Sequence, residues 1–346
     1  MTEGRTSTEG STPIAGGTLT TGSSPSVRVL GPESLEQVRR VVVGRQRECE
    51  VAVAALMSGR HLLLEGPPGT GKSTILRSIA EAVGIGMEFV EGNAELTPAR
   101  LVGHFDPAQV LEQGYRDDIW IDGPLVRALR HGHLLYLEEI NRIPEETLNL
   151  LVTVMSEQEL TVPRLGRIKA EPGFRLVAAM NPYDSIGTAR ISAAIYDRVC
   201  RLAIDYQSAD DEVAITRRRT DDIAPTTLSE ISVEVVRGLR DHPEVRIGPS
   251  VRGAIDLVVL ADSLATLRSV PVERYDLGLD AALVALSGRL QLHDSTAIAP
   301  EVIVTEVWNE IWNRFHPTGD PDHGVDGDHP GDAQGKAPSR RAANPG

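Results

Sequence analysis

The sequence predicts an α/β fold, a parallel sheet with helices on both faces, followed by a small all-helical domain. Three observations carry this. Five short apolar runs alternate with helical patterns between residues 27 and 205. The first run leads into a glycine-rich turn and then a helix. From 206 to 316 no convincing strand appears, and the apolar residues fall at helical spacing.

Taken in order, residues 1–26 are mostly Thr, Ser and Gly, with too few apolar side chains to offset ordering entropy, and read as a disordered tail. The first strand is "HLLLE" from His61, and its following helix, "STILRSIAEAVG", stops near Gly84. "MEFVE", "HLLYLE", "FRLVAAM" and "CRLAIDY" supply the other four strands. Before the fourth, "QELTVPRLGRIKAEPGFRL" reads as a hairpin turning at Pro163 to Gly166, with Arg164, Arg167 and Lys169 as a basic tip. In the second domain, "SVRGAIDLVVLADSLATLR", "DAALVALSGRL" and "PEVIVTEVWNEIWNRF" are helical, the last with Pro300 suited to a first turn. Residues 317–346 are a second disordered tail.

Gly66-Pro67-Pro68-Gly69-Thr70-Gly71-Lys72-Ser73 fits G-x-x-x-x-G-K-[ST] in its required strand–loop–helix setting. Glycines let backbone N–H groups face phosphates without a Cβ in the way, and the helix N-terminus adds a favourable dipole. Lys72 is placed to reach the β- and γ-phosphates and the Ser73 hydroxyl to ligate Mg²⁺, with Thr74 in the first helical turn beside them. No N-K-x-D guanine-reading motif occurs, which favours ATP.

The third run, "LLYLEE", ends in two carboxylates. Burying an ionised carboxylate costs several kcal/mol unless something compensates it. Beside a phosphate loop, a bound metal does so. Glu138 then holds the metal's water shell and Glu139 polarises the attacking water.

With these residues in place the chain resembles the AAA+ ATPases, and within them the MoxR branch. The phosphate loop, "EEINR", "AAMNP" and "GPSVR" occur in the family's order over about residues 35–290. Members typically carry Asp-Glu-Ile-Asn-Arg where this chain has Glu138-Glu139-Ile140-Asn141-Arg142. The resemblance implies that Asn181 helps hold the attacking water and that Arg252 carries charge from the helical lid to the phosphates. "VVVG", ending at Gly44, would lie near the adenine. "ISAAIYDRVCRL" resembles the segment bearing the arginine finger. Arg198 would then complete a neighbouring subunit's site, with Arg190 as second choice, which implies a ring, usually a hexamer. The Gly123-Pro124 step after Trp120 resembles the segment following the branch's insert, and the basic hairpin would face a central pore and contact a client.

The resemblance further implies a chaperone-like motor that remodels or matures a partner, commonly a protein with a von Willebrand factor type A domain. The alternative is the motor subunit of a metal-chelatase-like complex. A formal net charge of -14 opposes general affinity for nucleic acid. Cys49 and Cys200 form no metal or CxxC pattern and are expected as reduced thiols in a cytoplasmic protein. No apolar run reaches membrane-spanning length, so no membrane insertion is expected.

Overall fold

The computed structural model describes residues 32–182 and 191–317. Both predicted disordered tails, 1–26 and 317–346, lie outside these residues apart from Pro317, and so does Arg190. The described chain begins with helices α1 (Pro32–Val41) and α2 (Gln46–Met57). It continues through β1 (His61–Glu65), α3 (Lys72–Val83), β2 (Met87–Glu91), α4 (Pro98–Val102), β3 (Gly103–Phe105) and α5 (Pro107–Gln113). Then come β4 (Trp120–Asp122), α6 (Pro124–His131), β5 (Leu134–Glu138), α7 (Glu145–Glu157), the hairpin strands β6 (Glu159–Val162) and β7 (Gly166–Lys169), and β8 (Arg175–Met180). A short helix α8 (Ala193–Tyr196) precedes the last sheet strand, β9 (Val199–Ala203). The C-terminal part comprises α9 (Ala209–Arg219), α10 (Thr226–Asp241), β10 (Val245–Ile247), α11 (Val251–Arg268), α12 (Tyr275–Leu286), β11 (Gln291–Leu292) and α13 (Pro300–Phe315).

The five predicted runs form one parallel sheet in the order β2-β5-β8-β1-β9. Alternation divides each strand between two cores. Leu63, Leu135, Leu137, Leu176 and Ala178 face one side, packing with α6 and α7 residues such as Leu129 and Leu151. Leu62, Leu64, Leu134, Tyr136, Val177 and Ala179 face the other, against Val53, Ile75 and Ile79 of α2 and α3. Burial on both faces is why the central strands β1, β5 and β8 read as apolar runs, while the edge strands β2 and β9 keep exposed positions.

Helices α10–α13 enclose a third core built on Trp308, which is fully buried. This part is helical as expected, but it also carries a short antiparallel pair, β10 with β11. Each strand is only two or three residues long, too short for a period of two to register. The hairpin turns at Pro163–Gly166 as read from the sequence. Its basic tip is not free, however. The Arg164 guanidinium lies 3.7 Å over the Tyr115 ring, and Arg167 pairs with Glu159 at 3.4 Å. Among the described residues no helix is long and apolar enough to cross a membrane.

Candidate functional site

β1 ends at Glu65, and the chain turns over the sheet edge through Gly66–Gly71 into α3. Two of these glycines are needed for space. A Cβ on Gly66 would overlap the Ile204 carbonyl, and one on Gly69, where φ is +74°, would overlap Ser250. Gly71 caps α3 in the left-handed region that favours glycine. The Thr70 hydroxyl donates to the Pro67 carbonyl at 3.0 Å and tightens the loop. Lys72, nearly buried, donates to the carbonyls of Gly66 (2.9 Å) and Pro67 (2.8 Å). Burial pulls its pKa down to about 8, opposed by Glu138 and assisted by Arg252 and Arg45.

The strand order places β8 between β1 and β5, so three strand ends converge beside this loop. The Ser73 hydroxyl donates to Glu138 Oε1 at 3.0 Å and lies 3.1 Å from the Tyr136 hydroxyl. Glu139 adopts φ +53°, a conformation that costs a non-glycine residue about 1–3 kcal/mol and is typical of functional positions. Neighbouring bonds hold it there. Gly92 N–H donates to the Glu138 carbonyl at 2.7 Å, Arg142 N–H donates to the Glu139 carbonyl at 2.8 Å, and the Arg142 side chain pairs with the Glu139 carboxylate at 3.1 Å. Gly92 permits this approach, since a Cβ there would overlap the Glu139 carbonyl.

Pro68, Gly69, Thr70, Gly71, Lys72, Ser73, Thr74, Glu138, Glu139, Asn181 and Arg252 line one cavity of about 170 Å³. Arg252, in the first turn of α11, also lines an adjoining cavity of about 260 Å³ with Val41, Val42, Val43, Ile215 and Ile255. The first cavity is polar and suits phosphates. The second has an apolar wall suited to a flat ring. Gly44 is not on that wall: it turns the chain at φ +67°, where a Cβ would overlap the Asp211 carboxylate.

The residues fit a magnesium–nucleotide complex. Among the described residues no cluster of His, Cys, Asp or Glu could cage a metal alone. A Ser hydroxyl and one carboxylate 3.0 Å apart supply the few hard oxygens that Mg²⁺ takes when phosphates and waters complete its shell. The extra methylene of Glu138 relative to Asp is accommodated by bringing the carboxylate directly onto Ser73.

Arg198 lies elsewhere. β9 runs parallel to β1 with Val199 opposite His61, so Arg198 precedes the end of the sheet remote from the phosphate loop. At ~3.3 Å per residue the separation is about 15 Å. There its guanidinium donates to Ser156 Oγ (2.6 Å) and to the Ala194 carbonyl (2.8 Å). It is not brought to the Lys72 of its own chain.

Sequence reading missed two residues. Arg45 is buried and donates to the carbonyls of Thr70 and Asp205, tying the phosphate loop to the chain leaving β9. Its signal was only a charge following Gly44. Tyr136 touches Ser73 from mid-strand, where a Tyr in an apolar run looks like ordinary core.

Residues 61–199 match the family model of an AAA domain of the dynein-related subfamily. An uncharacterised protein of Staphylococcus saprophyticus is 30% identical over 228 residues, covering 64% of this chain and 84% of that one. An uncharacterised protein of Staphylococcus epidermidis is 34% identical over 163 residues, covering 46% of this chain and 61% of that one. Among solved structures, the Holliday junction branch migration motor RuvB of Thermotoga maritima aligns at 21% identity, over 74% of this chain and 73% of that one, with a TM-score of 0.48.

Proposed function

Because this chain belongs to the AAA+ ATPases, we propose that it hydrolyses ATP at sites shared between neighbouring copies and uses the cycle to remodel a partner protein, as the MoxR branch does. The observation that carries the reading is the convergence of Lys72, Ser73, Glu138, Glu139, Asn181 and Arg252 on one cavity, from four separate stretches of chain.

In this reading Lys72 leaves the carbonyls of Gly66 and Pro67 for the phosphates, and the backbone N–H groups of Gly69–Ser73 cradle them. Ser73 and Glu138 would hold Mg²⁺, which neutralises charge on the phosphate oxygens. Glu139 orients and deprotonates the attacking water, with Asn181 as the second contact. Arg252 brings the lid onto the phosphates, so bound nucleotide and lid closure are coupled. Arg198 is remote from its own site and partly exposed, which supports its service to the next copy in a ring, of the hexameric kind usual in the family. The partner is a client protein or one bearing a von Willebrand factor type A domain. Support for that last step is the motif order "EEINR", "AAMNP", "GPSVR" alone.

Glu139→Gln tests the core of the proposal. The variant is expected to bind ATP with near-native affinity and to release phosphate at least about 100-fold more slowly. Turnover within a few-fold of the native rate would mean Glu139 is misassigned.

A further inference from the structure

Glu65 is the last residue of β1 and is only 4% exposed, yet it takes no part in the site described above. Its carboxylate is gripped from one direction. The Tyr196 hydroxyl donates to Oε1 at 2.8 Å, and Arg201 Nε donates to Oε2. Burial, followed by the bond to Glu65, raises the Tyr196 hydroxyl to about 12, so it remains a donor. A buried carboxylate is retained only if partners compensate it, so breaking this grip is costly.

The two ends of the cluster matter more than its energy. On one side, Glu65 is continuous with the phosphate loop. Its carbonyl accepts from Ile204 N–H at 2.7 Å, and the next carbonyl, that of Gly66, holds Lys72. On the other side, Tyr196 is the last residue of α8, two residues before Arg198. α8 is a single turn, too short to hold its own orientation. Ile195 anchors it in the core, and the Tyr196 contact to Glu65 is the second tie beside the residues that follow. Arg198 meanwhile rests on Ser156 Oγ and the Ala194 carbonyl, the latter within α8 itself.

We infer that Glu65, through Tyr196 and Arg201, ties the phosphate loop of one subunit to the presentation of Arg198 to the next. Tyr196 is a positioning residue for the neighbour's site rather than for its own. Withdrawal of Lys72 from the Gly66 carbonyl is the event at the loop that this linkage conveys. The inference rests on the shared-site reading above, and the test separates the two.

Tyr196→Phe removes only the hydroxyl and leaves Arg201 on the Glu65 carboxylate, so the chain is expected to fold with reduced stability, which urea denaturation measures. Nucleotide affinity is expected to stay within about twofold, while kcat falls roughly ten- to a hundredfold, the range for a misplaced catalytic group. The decisive measurement is turnover in confirmed mixed rings. Tyr196→Phe mixed with Glu139→Gln should recover activity, because a sound Glu139 site meets a sound Arg198. Tyr196→Phe mixed with Arg198→Ala should not recover, because both supply defective fingers. Arg201→Gln is the second variant and should sort in the same group.

The reverse pattern would place Tyr196 in service of its own phosphate loop and overturn the inference. Native turnover of Tyr196→Phe, or the same response in both mixtures, overturns it too. The control is Arg198→Ala mixed with Glu139→Gln. No recovery there removes the shared site itself and this inference with it, whereas recovery there with the reversed pattern removes this inference alone.

Discussion

Lowering the pH should destabilise the fold through one histidine. His61 opens β1 and is 6% exposed. Its Nδ1 accepts from Leu176 N–H of β8 at 2.9 Å, and Gln158 approaches Nε2 at 3.3 Å. Accepting at Nδ1 demands the neutral ring with its proton on Nε2. Burial, with Arg175 adding to it, lowers its pKa from 6.5 to about 4. The unfolded chain therefore binds this proton first as the pH falls. The stabilisation is complete above pH ~6.5, declines through the window from 6.5 to 4, and falls no further below it. With those two values the linkage costs about 2 kcal/mol at pH 5 relative to pH 7.5, approaching ~3 kcal/mol at pH 4. Urea unfolding at pH 7.5 and pH 5 measures it, comparing the native chain with His61→Asn, whose carbonyl still accepts from Leu176. Other groups titrate in both chains, so the difference of differences isolates His61. Equal pH 5 losses in the two chains would refute the argument, as would an NMR titration of His61 near 6.5.

Glu138→Gln keeps the bond to Ser73 but loses the charge, so the Mg²⁺ concentration for half-maximal phosphate release should rise about ten- to a hundredfold. Arg240→Met strips one of two arginines from the buried Glu212 carboxylate, which it meets at 2.8 Å, and its bond to the Pro249 carbonyl just before Arg252. Chemical denaturation should show a loss of roughly 3 kcal/mol, with weaker nucleotide binding. Gly69→Ala places a Cβ on Ser250 in a backbone that favours glycine, and calorimetry should show ATP binding reduced by at least about tenfold. Neutralising Arg164, Arg167 and Lys169 together should weaken client-stimulated turnover while leaving basal turnover within about twofold. An unchanged response to a client would remove the hairpin from the mechanism.

The legible parts of this protein are those whose physics is local. The turn from Gly66 to Gly71 must bring successive N–H groups to one point, which only a contiguous run with glycines can do, so it announces itself in the sequence. The central strands β1, β5 and β8 are legible because burial on both faces leaves them almost wholly apolar, whereas the edge strands β2 and β9 carry charged residues at exposed positions. Glu138 and Glu139 stand out because two carboxylates closing such a run need a compensating partner. By contrast, β10 and β11 are too short to carry a period, and Tyr136 in mid-strand has the composition of core.

What tertiary structure alone decided is which of these pieces meet. The order β2-β5-β8-β1-β9 sets Glu139 and Asn181 beside Lys72. The fold of α9–α11 delivers Arg252 to the same cavity from 180 residues further along the chain, and register holds Arg198 about 15 Å away at the opposite sheet end. Glu65 meeting Tyr196, and Arg164 lying on Tyr115, belong to the same class. Each depends on pairings between segments far apart in sequence, whose free energies are fixed by packing of the whole and leave no mark on the residues nearby.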